Sequence, residues 1–264
     1  MTDLTTIQQV RFGFDFDRVG AHTSRTLMLD ELTTVLSYLA NPAAVKTEYF
    51  NAVNVDNCLN KRTQSNRKLT YRDLVKLYTL DPSVTIFRVL VYFWDRDPQG
   101  RPLLALLCAY CRDSLLRISS SFILASPQST IVERERLQAY IEHRQPDRFS
   151  PATIISISRN INASWTQSGH LRGRVRKVRV KPIATPGNVA YALFLGYLTG
   201  MRGESLFKTE YVKLLGLTID QAIDFAEEAS RRGWIVFKRV GKTMEALFPN
   251  LLTQQEMEWL REQS

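Results

Sequence analysis

Along most of this chain the apolar positions recur at helical spacing. Residues 1–22 show little periodicity and read as a loose arm. From there Leu27, Leu29, Leu32, Val35, Leu36 and Leu39 predict a helix, with Ser24 as its N-cap and Asn41-Pro42 as its end. A second helix is expected from about Lys61 to Leu80. Tyr71, Leu74, Val75 and Tyr78 form its core-facing stripe, and its first half, KRTQSNRK, is wholly polar. Asp81-Pro82 breaks it. Val84–Trp94 is strongly apolar and fits either a buried helix or a buried strand, which periodicity alone does not separate.

Leu103–Phe122 reads as a buried helix and Thr130–His143 as a charged, exposed one. Ser150-Pro151 marks the start of a helix reaching Trp165, with Ile154, Ile155, Ile157 and Ile161 on its apolar side. In Arg174–Lys181 valines interleave with basic residues, as in a β-ribbon with one phosphate-facing side. Three further helices are expected over Gly187–Gly200, Ser205–Gly216 and Thr218–Arg232, then a hairpin, WIVFKRV returning through MEALF around Gly241. Helix, helix, helix, two-stranded wing is the order of a winged helix-turn-helix. The expected class is therefore mainly α, a helical protein with helix-turn-helix or winged-helix-like modules and short β-hairpin wings. The expected organisation is an arm over 1–23, a helix-turn-helix-like domain over 24–128, a helical domain with a winged-helix-like module over 129–252, and a tail over 253–264.

Composition adds a polyanionic partner to this picture. The 264 residues are 44% hydrophobic, enough for a real core, and carry a net charge of +9. No Asp or Glu occurs from Arg148 through Gly203, and that stretch holds nine basic residues, the whole of the net charge. A second acid-free window, between Asp56 and Asp73, contains Lys61, Arg62, Arg67, Lys68 and Arg72. A surface that displaces counterions from phosphates works best without carboxylates beside it. The nucleic-acid-binding residues expected are Lys61, Arg62, Thr63, Gln64, Ser65, Asn66, Arg67 and Lys68 on the first window's helix. To these are added Arg159, Arg172, Arg174, Arg176, Lys177, Arg179 and Lys181 in the second window, and Lys238, Arg239 and Lys242 on the C-terminal wing. Against reading by the C-terminal module, its third helix carries Asp220, Asp224, Glu227 and Glu228, which repel phosphate.

Chemistry is sparse. Three cysteines, Cys58, Cys108 and Cys111, argue against a disulfide framework and for a reducing compartment. The Cys108–Cys111 CxxC lies in an apolar run without a second pair, as core residues would. His22, His143 and His170 are scattered and make no metal or triad spacing. Asp15/Asp17 and Asp95/Asp97 lack the companion residues of a metal nuclease and read as loop caps. No phosphate-binding loop motif occurs. No apolar run reaches the length of a membrane span. The expectations are a cytoplasmic protein that is not an enzyme, with no cofactor, no metal, no membrane and no small-molecule substrate.

KRTQSNRKLTYRDLVKLYTLDPSVTIFRVLVYFW (61–94), with the helix order that follows it, resembles the BrxA family of bacterial BREX phage-defence systems over roughly residues 24–250. The resemblance implies a mainly helical, non-catalytic protein with helix-turn-helix-like modules, DNA-binding ability and defence-complex proteins as partners. By position it makes Lys61, Arg62, Thr63, Ser65 and Arg67 the contact helix. A longer N-terminal arm and the basic 172–181 segment depart from the family's pattern. The leading expectation is an accessory protein that holds double-stranded DNA mainly by its phosphates. The other readings are an RNA-binding protein of antitermination type, a protein–protein scaffold and a metal-dependent nuclease.

Overall fold

A computed structural model describes residues 9–16, 20–41, 44–241 and 243–261, and these are mainly helical. In chain order the helices are α1 (Leu29–Leu39), α2 (Lys46–Asn54), α3 (Gln64–Tyr78), α4 (Thr85–Arg96), α5 (Arg101–Tyr110), α6 (Ser114–Ala125), α7 (Arg134–Arg144), α8 (Pro151–Gln167), α9 (Pro186–Leu198), α10 (Glu210–Lys213), α11 (Ile219–Arg231) and α12 (Gln254–Arg261). Single 3-10 segments cover Ala21–Thr23, Pro98–Gly100 and Gly203–Lys208. The strands form two antiparallel hairpins, β1 (Leu171–Arg172) with β2 (Val178–Arg179), and β3 (Val236–Val240) with β4 (Thr243–Leu247).

The chain divides into two compact units, each discontinuous in sequence. Unit 1 takes Met1–Phe14, Val84–Leu107 and Pro182–Ser264, and unit 2 takes Asp15–Ser83 and Cys108–Lys181. The expected succession of domains with a boundary at 128 is therefore not what the fold shows. The reason lies in α4, whose apolar side packs on α9, far along the sequence. That leaves 108–181 to complete the unit begun by 15–83.

In unit 1 the ambiguous segment 84–94 is settled as helix. Ile86, Phe87, Leu90, Phe93 and Trp94 are all buried, at the one-face spacing of a helix. Burial of each such side chain contributes roughly 1.5–3 kcal/mol. Tyr191 of α9 donates its hydroxyl to Ile86 O at 2.8 Å and packs its ring against Phe93. Helix α9 also packs against α10 and α11, and α11 against β3. The helix expected over 205–216 is instead a 3-10 segment and the short α10, separated by Thr209, whose side chain caps Val212 N. Thr218 and Gln221 form a reciprocal capping box at the start of α11. Asp97 is buried, and its carboxylate accepts from Gly187 N at 2.8 Å at the start of α9. The described part of the arm is not loose, because Phe12 and Phe14 are buried and Phe12 meets Trp259 edge-on. The expected tail holds α12. Residues 1–8, Asp17, Pro42 and Lys242 lie outside the described residues.

In unit 2, Ser24 does not cap α1. Tertiary bonds pin the residues after it: Leu27 N donates to Ser164 Oγ, and Leu27 O accepts from the buried Tyr78 hydroxyl. The helix therefore starts at Leu29, after Met28 at φ 53°. Lys61–Thr63 also precede their helix. Lys61 N donates to Asn57 Oδ1, and Thr63 Oγ1 accepts from Asn66 N as the N-cap of α3. The single helix expected over 103–122 is two helices, because Asp113 caps a new start, accepting from Leu115 N and Leu116 N at 3.0 Å each. Helices α6, α7 and α8 pack on one another, and α8 also packs on β1 and on the Ala21–Thr23 turn. Ser150 and Pro151 start α8 as the sequence indicates.

Candidate nucleic-acid interface

The basic hairpin is almost all loop. Only Leu171–Arg179 and Arg172–Val178 pair as strand partners, and Gly173 at φ 109° allows the turn that follows. This short ribbon is extended sideways by an isolated bridge from Ile131 to Val178, and Val132 N donates to Lys177 O. The turn Gly173–Lys177 is thereby fixed beside the start of α7. Arg174 and Arg176 are exposed and flank Val175, which is 90% exposed at the tip.

A groove of about 470 Å³ lies between this turn, the 131–135 segment and α8. Its cations are Arg134, Arg159, Arg174, Arg176 and Lys177, against the carboxylates of Glu133 and Glu135. Arg134 and Glu135 pair at 3.2 Å and largely cancel. Lys177 donates to Gly173 O at 2.7 Å, and partial burial pushes its ammonium below the usual lysine range. Among the described residues the guanidinium groups of Arg159, Arg172, Arg174 and Arg176 have no hydrogen-bond or ion-pair partner, which leaves them for a ligand. Arg159, Asn162 and Ala163 reach the same groove because i, i+3 and i+4 share a helix face.

Arg179 is a correction. It is 3% exposed, and its guanidinium donates to Ile123 O at 3.0 Å, His170 O at 3.1 Å and Val180 O. Burial lowers its pKa from the ordinary arginine value. It holds the hairpin to α6 and is not available to phosphate. Lys181 is exposed but has an interaction of its own.

On α3 and the turn before it, Arg62, Gln64, Ser65, Asn66 and Lys68 are exposed. Three neighbours are committed internally. Lys61 pairs with Glu31 at 3.2 Å, the Thr63 hydroxyl serves as the cap, and Arg67 donates to Val55 O at 3.4 Å. This cluster belongs to unit 2, like the groove, but none of its residues lines the groove. Lys238 and Arg239 are exposed on the β3–β4 hairpin of unit 1. Arg231 and Arg232 of that unit both bind Glu228, whose pKa the two lower, Arg232 first. Asp220 and Asp224 face solvent on α11.

Sequence reasoning missed Arg134 and Asn162. Arg134 was hidden in a run of alternating charge, and Asn162 looked like one more polar residue of α8. The signal that could have found Asn162 is its placement three residues after Arg159. An RNA reading would want aromatic rings open to stack on bases, but Tyr78 and Trp165 are buried and Tyr71 packs edge-on against Phe50. Cys108 and Cys111 are buried, and no group of three or more metal-ligating side chains occurs among the described residues. His22 does enter a chain of the triad type, since Nδ1 lies 2.6 Å from Asp113 and Nε2 lies 2.8 Å from Ser164 Oγ. It is fully buried, and Ser164 Oγ also accepts from Leu27 N and lies 2.8 Å from Asn160 O, so the network braces the core. No described helix is long and apolar enough to cross a membrane. Compared with protein-family models, with curated proteins and with solved structures, the chain matches none.

Proposed function

We propose that this protein is a non-catalytic accessory protein that holds double-stranded DNA through its phosphates, in a bacterial anti-phage defence system of the BREX type. The observation that carries the DNA reading is the convergence of Arg159, Arg174, Arg176 and Lys177 around one groove, three of them arginines with no internal partner. Free guanidinium groups bond phosphate oxygens in a forked geometry, and the groove's five cations outnumber its two carboxylates, Glu133 and Glu135, the latter paired with Arg134. Arg62 and Lys68, exposed beside Gln64, Ser65 and Asn66, supply a second contact in the same unit. The defence setting comes from the resemblance of residues 61–94 to the BrxA family.

The order α9, Gly203–Lys208 with α10, α11, then the β3–β4 hairpin supports reading unit 1 as a winged-helix module. With Asp220 and Asp224 outward on the helix that would enter a groove, this module touches DNA by Lys238 and Arg239 alone. The same acidic face favours a second reading for unit 1, docking onto a basic partner protein.

The deciding experiment is a salt titration of purified protein on one labelled duplex, with single-stranded DNA and duplex RNA of the same sequence as competitors. Affinity should fall linearly in log–log form with added salt, and duplex DNA should compete best. Absence of binding at low salt, or preference for RNA, overturns the reading.

A further inference from the structure

We infer that the groove between the Gly173–Lys177 turn and α8 is a binding site for a nucleoside phosphate, and not only a stretch of basic surface. Choosing a nucleoside phosphate over other anions rests on the nucleic-acid reading above; the site itself rests on three features of unit 2. Its volume of about 470 Å³ falls in the range of pockets that enclose small organic ligands.

The lining is rich in cations, with Glu133 and Glu135 as its two carboxylates, the latter paired with Arg134. Arg159 rises from α8, while Arg174 and Arg176 come from the turn, all without internal partners. A terminal phosphate set among them meets forked donors from more than one direction. Other lining residues have a different chemistry. Ile131, Ala163 and Val175 are apolar, and together with guanidinium groups they suit the face of a base.

The third feature is Asn162. It lines the groove, is only 6% exposed, and its Oδ1 is buried with no hydrogen-bond partner. A buried amide oxygen without a donor costs stability, on the order of 1–3 kcal/mol, until a donor arrives. Inorganic phosphate held by the arginines offers chiefly acceptors. A base or sugar attached to the phosphate brings N–H or O–H donors. The site thus combines an anion end and a donor-seeking end, which is the polarity of a nucleotide.

The test is calorimetric titration of the full chain with a deoxynucleoside 5′-monophosphate, the corresponding deoxynucleoside and inorganic phosphate, at low salt. The monophosphate should bind one to one and at least tenfold more tightly than either fragment. Arg159→Ala, an exposed substitution that spares the core, should weaken the monophosphate at least tenfold. Asn162→Leu should weaken the monophosphate while leaving phosphate binding unchanged, with its fold checked by circular dichroism. Equal affinity for monophosphate and phosphate, no saturable binding, or indifference to Arg159→Ala would each overturn the site.

A closed circular duplex titrated in parallel separates the two readings. Circle binding without monophosphate binding removes the pocket and leaves the DNA reading. Monophosphate binding without circle binding does the reverse. Linear duplexes with 5′-phosphate or 5′-hydroxyl ends then distinguish a strand end from a free nucleotide as the source, and either source supports the site.

Discussion

His22 Nδ1 stands 2.6 Å from Asp113 Oδ2, with both side chains fully out of solvent. Asp113 also accepts from His22 N, Leu115 N and Leu116 N, so one carboxylate closes the Ala21–Thr23 turn onto the start of α6. Burial disfavours its charge, but the His22 ring and these amide donors outweigh that, and its pKa lies below the ordinary aspartate value. A carboxyl with a folded pKa below its unfolded one stabilises the fold fully above the unfolded value, near pH 3.9, and loses that contribution as pH falls toward the folded value. Asp113→Asn should therefore cost about 3 kcal/mol at neutral pH, as when one partner of a buried pair is removed. In urea unfolding the gap between wild type and Asp113→Asn should narrow from pH 6 to pH 3. A gap that stays constant would show that the charge of Asp113 contributes nothing.

Gly20 tests the same brace from the other side. A Cβ there would sit 1.8 Å from Asp113 Oδ2, and the carboxylate is held by its donors and cannot swing aside. The φ of −70° is open to any residue, so the obstacle is contact and not backbone strain. Gly20→Ala should destabilise by about 2 kcal/mol, the scale of an overpacked core. Wild-type stability in the same urea unfolding would refute this placement.

The arginines of the basic hairpin should separate into two classes. Arg174→Ala with Arg176→Ala should leave stability unchanged and flatten the log–log salt dependence of duplex binding by about two, one for each lost phosphate contact. Arg179→Ala should cost about 2–4 kcal/mol, because its charged hydrogen bonds to three carbonyls are lost. Filter binding gives the slopes and thermal denaturation the stabilities. An unchanged salt slope in the double variant would show that this turn does not touch DNA.

The contrast between Arg179 and its neighbours marks what the sequence could reveal. Arg174, Arg176 and Arg179 look alike in a run of alternating basic and apolar residues. Only the pairing of Arg172 with Val178 and the bridge from Ile131 decide which side chain turns inward. Helices with strong apolar stripes and local caps were legible. Ser150-Pro151 starts α8, and Thr218 starts α11. Elements set by distant partners were not. The start of α1 depends on Ser164 and Tyr78, and the split of 103–122 depends on what Asp113 binds. The groove was half legible: the density of basic residues showed in the charge pattern, while the part supplied by Arg134 and Asn162 depends on how α7 and α8 pack.

Glu256 offers the corresponding test in unit 1. Its carboxylate lies 2.5 Å from Arg88 Nη2, accepts from Thr253 N at 2.7 Å and is bonded by the Thr85 hydroxyl. These contacts tie α12 to the start of α4. Burial raises the cost of its charge, but Arg88, the Thr253 amide and Thr85 more than offset that, so its pKa is lowered. Removing the carboxylate takes from Arg88, itself partly shielded, its ion pair with Glu256. The helix is also held by buried Leu260, by the edge contact of Trp259 with Phe12 and by Arg11 over the Trp259 ring. Glu256→Ala should therefore free α12 locally before it unfolds the unit. Limited proteolysis should cut the variant within 250–261 at least tenfold faster than wild type, with the rest of the chain equally resistant. Glu256→Gln should fall between the two, since it keeps an acceptor for Thr253 N but not the charge. Equal cleavage of all three proteins would show that the apolar contacts alone hold α12 in place.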